Sequence, residues 1–400
     1  MSPVRTSSLF RATLAALLAA ACILPFAVVH AADLNLTYIG QQIVPARTRF
    51  LGTTVGGLSS LDYNPLTGRY LAISDDRSKI DPARFYELSL DLSQFRRTAA
   101  PGMAGVTLHA VTFLQPPGGG TFKRYSVDPE GLRIDVARNV LYWSSEGYRV
   151  IHDTQNPTVR EMYLDGSHVR DFDVPGYYHP NGPGIGLFRN NQGVYDNLGF
   201  ESLALSIDGR ILYTATENGL AQDSDRAGIS SGSRARILAF GIGDGKPVAE
   251  YVYDVEPVPS APHPFLGFAA NGLTDLVAIG DRQFIAIERA FVRGAALSGG
   301  LRSGFTVRLY HADARRATNV SGMASIAEKN VQAVEKTLLL DLADLKQADG
   351  SELVVGNIEG ITLGPRHHGR RTLILVADDN FSKNQLTQFI ALEIDLPEDG

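Results

Sequence analysis

Two pairs of glutamates, each sixteen residues apart, carry the strongest chemical signal in this 400-residue sequence: Glu130 with Glu146, and Glu201 with Glu217. In both pairs the first acid precedes a small residue and a short apolar run, Glu130-Gly131-Leu132 or Glu201-Ser202-Leu203, and the second ends another run, LYWSSE or LYTATE. Looser copies lead from Ser59-Ser60-Leu61 to Asp76, from Thr274-Asp275-Leu276 to Glu288, and from Glu359-Gly360-Ile361 to Asp379. Acids returning at one position of a repeated unit would be gathered at one place in the fold. Two carboxylates about 6 Å apart repel by roughly 3 kcal/mol at an effective dielectric near 20, so such a ring requires protons or cations to answer it. Calcium suits a set of oxygen ligands on rigid elements, and Asn197, Asn218, Asn271, Asn357 and Asn380 add carbonyl oxygens nearby in sequence. Pairing by Arg77, Arg189, Arg289 and Arg293 is the competing answer.

The expected metal set is therefore Asp76, Glu130, Glu146, Glu201, Glu217, Glu288, Glu359 and Asp379, with Asp75, Asp275 and Asp378 close by. Glu130, Glu201 and Glu359 are the candidates for general base in an ester hydrolysis, where a bound cation would activate water. Arg189 and Arg289 are candidates to steady an anionic substrate group. So is His179, on a long loop (177–197) that leads directly into Glu201.

The elements that must position these acids follow from the period. First-strand starts at Ser59, Glu130, Glu201, Thr274 and Glu359 are 71, 71, 73 and 85 residues apart. Each unit has room for four short strands and one long loop, which is a decorated propeller blade. The second unit shows the plan in four alternating runs at 131–136, 139–145, 159–164 and 168–173, and Asp208-Gly209 and Asp244-Gly245 supply turns in the third. In such a blade the innermost strand starts, and the antiparallel second strand ends, at the same face, so all the acids meet at one mouth of the central channel. The fifth unit has only three strands. The segment from Leu34 to Val44 has no unit of its own, and its pairing with the last blade would close the ring and remove exposed edges. The expected fold is thus all-β, a single propeller of five or six blades closed by an N-terminal strand, with one helical decoration at Ser325–Val334.

Composition agrees with a single large β domain: 44% of residues are hydrophobic, and 40 glycines and 20 prolines suit many tight turns. A net charge of -6 without basic runs argues against nucleic acid. Arg5 and Arg11 precede an apolar stretch from Ala12 to Val29, followed by Val29-His30-Ala31, so residues 1–31 read as a signal peptide and 32–400 as the mature domain. The expected location is periplasmic or secreted, as a monomer free of the membrane after cleavage. Cys22, the only cysteine, falls inside the leader, which excludes disulfides and thiol catalysis from the mature chain.

Other motifs are weaker. Gly228-Ile229-Ser230-Ser231-Gly232 has the spelling of a hydrolase nucleophile elbow, but a polar loop precedes it and a strand follows, where the elbow needs a strand and then a helix. Gly182-Pro183-Gly184-Ile185-Gly186 lacks the helix a dinucleotide site requires. His367-His368 are adjacent in a basic turn, a poor arrangement for zinc.

The phrases Asp128-Pro129-Glu130-Gly131-Leu132, Asn197-Leu198-Gly199-Phe200-Glu201-Ser202-Leu203, Asn357-Ile358-Glu359-Gly360-Ile361 and Ala377-Asp378-Asp379-Asn380 resemble those of bacterial phytase-like proteins, described as having esterase-like activity. The likeness covers roughly residues 50 to 394. It implies a propeller, export, and kinship in form with calcium-dependent β-propeller phytases, whose acidic central site binds calcium and substrate phosphate together. The expected activity, from the acidic mouth and this likeness together, is hydrolysis of phosphate or carboxylate esters with calcium. A non-catalytic propeller binding a small ligand or an envelope partner, and a calcium-dependent lactonase-like enzyme, fit the same acidic mouth.

Overall fold

In the computed structural model, residues 29–98, 102–150, 153–181, 191–263, 267–294 and 304–396 are described. The leader expected at 1–31 lies outside them up to residue 28. Five four-stranded antiparallel sheets form five blades, each running outward from an innermost strand. The innermost strands are Leu58–Asn64, Pro129–Asp135, Phe200–Leu205, Ala269–Gly280 and Asn357–His367. They pack side by side in chain order, and the fifth returns to the first, which closes the ring. Five hydrophobic clusters fill the spaces between neighbouring blades, for example Leu373 and Leu375 of blade five with Ile285 and Ile287 of blade four. The core is therefore distributed around the ring, and the axis is left to polar side chains.

Blade five has three strands of its own, Asn357–His367, Arg370–Asp378 and Thr387–Ile394, and its outermost strand is the N-terminal segment Leu36–Val44. The register runs from Leu36 opposite Ile394 to Val44 opposite Thr387. This is the closing strand expected from the missing fourth strand. Val29, just before the expected cleavage point, is buried, and its N–H and C=O bond the side-chain amide of Gln283 at 3.1 and 2.6 Å.

The helix expected at Ser325–Val334 does not form. That segment is a turn-rich loop whose backbone is used elsewhere: Val334 N–H donates to Val252 O and Val320 N–H to Glu250 O, at 2.8 Å each, along the edge of blade three. Ile326 is buried against Val252. Edge pairing and separate docking of the apolar residues outcompete an isolated helix of ten residues, which is marginal in water.

Arg133 crosses the axis within the ring. Its guanidinium reaches Asp275 of blade four at 2.9 Å to both carboxylate oxygens, Ile361 O of blade five at 3.1 Å, and Ser60 Oγ of blade one at 2.9 Å. Burial raises the Asp275 carboxyl to about 6 even though Arg133 pulls it back. Removing one member of such a pair strands a buried charge. Asp275→Ala should therefore cost about 3–5 kcal/mol in denaturant unfolding, and the double replacement Arg133→Leu/Asp275→Leu should recover most of the loss. A single variant as stable as the parent would show that the pair does not hold the axis.

Candidate acidic site at the channel mouth

All five innermost strands skip one step of register beside their second strands, at Ser59, Glu130-Gly131, Glu201, Thr274 and Glu359. A bulge leaves the extra residue unpaired and re-aims its side chain. Here the bulge residues are the very positions at which the repeated motif begins. The three that are acidic, Glu130, Glu201 and Glu359, line a cavity of about 570 Å³ at the mouth. Ser59 and Thr274 instead donate to backbone carbonyls of the next blade, Glu130 O at 3.3 Å and Ile358 O at 3.4 Å.

The partner register defines a second ring. The residues opposite Leu58, Pro129, Phe200, Leu273 and Ile358 are Ser74, Ser145, Thr216, Glu288 and Ala377. The next residue along each second strand is therefore Asp75, Glu146, Glu217, Arg289 and Asp378: four acids and one arginine in structurally equivalent places. Among the residues expected from sequence, Glu146 and Glu217 belong to this ring. Asp76, Glu288 and Asp379 are one residue off it. Because successive side chains of a strand point to opposite faces, one step decides whether an acid faces the channel or the blade.

Those three acids are occupied in holding the blades. Asp76 accepts from the backbone N–H groups of Lys79, Ile80 and Asp81 at 2.8, 3.0 and 2.8 Å and pairs with buried Arg84 at 2.8 Å. Glu288 takes Tyr253 Oη at 3.1 Å, Asn271 Nδ2 at 3.1 Å and Lys336 Nζ at 2.6 Å. Asp379 accepts from Gly57 and Phe381 N–H at 3.0 Å each. Asp76 still borders the cavity, but its oxygens are spoken for.

The acids facing the mouth have few partners. One oxygen each from Asp128, Glu130 and Glu146 lie within 4.8 Å of one another, as do oxygens of Glu146, Glu201 and Glu217. Burial, then mutual repulsion, raises the carboxyls of Asp75, Glu130, Glu146, Glu201 and Asp378 well above the carboxylate range. Burial lifts Glu217 to about 7, against the pull of Arg289. Two guanidinium groups answer part of this charge. Arg289 bonds Glu359 at 2.8 Å and lies 3.6 Å from Glu217; Arg77 pairs with Asp128 at 2.5 Å and reaches Asn197 Oδ1 at 2.6 Å. Eight carboxyl groups (Asp75, Asp128, Glu130, Glu146, Glu201, Glu217, Glu359, Asp378) thus face two guanidiniums among the described residues, more acid than the guanidiniums can answer.

Close backbone approach makes the crowding possible. A Cβ on Gly272 would stand 2.2 Å from Glu217 Cγ, and one on Gly199 would stand 2.0 Å from Glu146 O. Gly199 immediately precedes the innermost strand of blade three and Gly272 lies near the start of that of blade four, so the acid-bearing residue of one blade is seated on the bare backbone of its neighbour. Two buried oxygens, Asp75 Oδ1 and Asn357 Oδ1, have no hydrogen-bond partner among the described residues. Uncompensated acceptors beside a surplus of carboxyl groups could hold a metal ion, and an all-oxygen set that includes an amide carbonyl matches the ligand chemistry of calcium.

Elsewhere, His179 is half-buried with its backbone carbonyl against Gly193, its imidazole pKa lowered by burial, and it is not among the residues lining the cavity. Arg189 and the glycine-rich stretch 182–186 lie outside the described residues. Ser230 is exposed in a loop ahead of the strand Ser233–Gly241, without a following helix. His367 and His368 occupy the turn between Asn357–His367 and Arg370–Asp378, with Nδ1 of each near Glu393 at 2.7 and 3.3 Å. Their strands run away from the mouth, so this group is remote from the acids. The cavity-lining residues outside the expected set include Asp75, Asp378, Arg77, Lys79, Tyr125 and Phe381. For Asp75 and Asp378 a signal was present, since each is the first of an Asp-Asp pair.

The sequence model of a family described as "Phytase-like: Esterase-like activity of phytase" matches residues 53–381, the span that builds all five blades except the closing strand and the last strand of blade five. A search of curated proteins returns no match to the chain.

Proposed function

The chain belongs to the phytase-like family, and from that membership we propose that it is an exported hydrolase of phosphate or carboxylate esters working with calcium at the acidic mouth. The observation that carries the reading is the ring of eight acids, seven buried and Asp75 partly so, answered among the described residues by two guanidiniums around a cavity of about 570 Å³. Asp75, Asp378, Asn357 and Glu359 would hold the cation on one side, and Asp128, Glu130 and Glu146, or Glu146, Glu201 and Glu217, on the other. When bound, calcium polarises the ester oxygen and lowers the pKa of water. Glu130 and Glu201 line the cavity and are placed to take a proton from water and return it to the leaving oxygen. Arg289 orients Glu359 through a 2.8 Å bond, and its charge opposes the rise that burial imposes on the Glu359 carboxyl. Export is supported by the leader pattern, and no helix among the described residues is long and apolar enough to cross a membrane. A binding propeller without turnover, or a lactonase-like enzyme, would use the same acids.

Chromogenic phosphomonoesters and carboxyl esters, assayed with and without calcium, test the reading. Turnover should depend on calcium and fall at least about 100-fold in Glu130→Gln and Glu201→Gln, with circular dichroism unchanged. Ser230→Ala should be silent. Activity persisting in both glutamine variants would move the chemistry elsewhere, and inactivity on every ester would favour the binding module.

A further inference from the structure

The rim of the cavity carries a second kind of surface beside its acids. Ile80, Tyr125 and Phe381 line it, and Ile80 and Tyr125 are 48% and 44% exposed. Tyr125 and Phe381 have φ of 61° and 51°, and no other Tyr, Phe or Trp among the described residues has positive φ. A left-handed backbone costs a bulky residue roughly 1–2 kcal/mol, and it persists where surrounding bonds enforce it. They do so here. Tyr125 N–H donates to Arg77 O at 2.7 Å, and Phe381 N–H donates to Asp379 Oδ1 at 3.0 Å. Gly57 leaves room for the phenyl ring, since a Cβ there would meet it at 2.6 Å. Two aromatic residues are thus held on strained backbone at the opening, on loops anchored to Arg77 and Asp379, close in sequence to the ring residues Asp75 and Asp378.

The cations at the mouth limit what can bind next to these rings. Arg77 and Arg289 are engaged by Asp128 and Glu359, whereas Lys79 is exposed and makes no ion pair among the described residues. Among the cations lining the cavity Lys79 is thus the one unengaged, which suits one anionic head, and the Arg124 guanidinium stacks on the Tyr125 ring, 5.0 Å from its centroid.

We infer that Ile80, Tyr125 and Phe381 form a subsite for an apolar or aromatic leaving group, which narrows the ester reading above, on which it rests, to phosphate monoesters with one anionic head and one hydrophobic arm. In that hydrolysis the oxygen of water bonds to phosphorus and the ester P–O bond breaks. The proton passes to the aryl or alkyl oxygen, and the alcohol departs over the apolar rim.

Calorimetric binding of phenylphosphonate and methylphosphonate to the calcium-loaded full chain separates this inference from the activity. Phenylphosphonate should bind about tenfold more tightly, the effect of one well-stacked ring. Tyr125→Ala and Phe381→Ala should bring the two within about twofold, and Tyr125→Phe should restore the preference. Equal affinities in the parent chain, or no binding of either probe, would overturn the subsite. A phenyl preference without turnover of 4-nitrophenyl phosphate would keep the subsite and sink the hydrolase. Equal kcat/KM for phenyl phosphate and glycerol phosphate would do the reverse.

Discussion

Chelating divalent cations at pH 8 should lower the melting temperature by several degrees, and at pH 5 the same treatment should change it little. A cation that binds only the folded state stabilises with the logarithm of one plus its concentration over its dissociation constant, about 4 kcal/mol at a thousand times that constant. Without the cation, the acid ring has its own pH dependence. Asp75, Glu130, Glu146, Glu201, Glu217 and Asp378 hold protons more tightly in the folded chain than in the unfolded one, chiefly because they are buried. Below their ordinary carboxyl values both states are protonated and the ring costs nothing. As pH rises, the unfolded chain releases its protons first, so stability drains away until the folded values are passed. For Glu217 that window runs from 4.5 to about 7. The chelated protein should therefore melt higher at pH 5 than at pH 8, and excess calcium should flatten or reverse the difference. Glu359→Gln and Asp378→Asn should shrink the calcium effect. An unchanged melting temperature in chelator at pH 8, together with no metal by elemental analysis, would remove the cation from the site.

Deleting residues 33–44 should abolish the soluble monomer, although none of the acids is touched. The segment contributes a whole strand, Leu36–Val44, paired along Thr387–Ile394, and buries Tyr38, Ile43 and Val44. It also ties blade five to blade one: Gln41 and Arg96 exchange backbone bonds at 2.9 and 3.3 Å, and Gln42 Nε2 donates to Gln94 O at 2.8 Å. Without it the strand Thr387–Ile394 becomes an exposed apolar edge, a template for aggregation. The mutual distances of Asp75 in blade one and Asp378 and Glu359 in blade five are set by that junction, so calcium affinity should fall as well. A synthetic peptide of residues 33–44 added during refolding should recover monomer, while a chain beginning at Val29 should behave as the parent. A truncated protein that elutes as a monomer with its melting temperature intact would show that the strand is dispensable.

The near-constant repeat and the alternation of apolar residues were enough to specify blades, their number to within one, and the N-terminal strand that completes the last. These are properties of local pattern: strand period, turn residues and the count of strands per unit are all written along the chain. The chemical type of the site was also legible, because acids recur at the ends of equivalent strands. Which acids face the channel was not. Asp75 and Asp76 differ by one step, and so do Asp378 and Asp379, and the face each takes depends on a register skip at Ser59 or Glu359 that only the paired strand reveals. The same skip brings Arg289, not Glu288, into the ring and gives the acids their one equivalent cation. Arg77 and Lys79, Tyr125 and Asp128, and Phe381 come together from three loops, spaced along the chain by up to 304 residues between Arg77 and Phe381. No periodicity links such residues; closure of the ring brings them together, and that closure is a property of the packed blades alone.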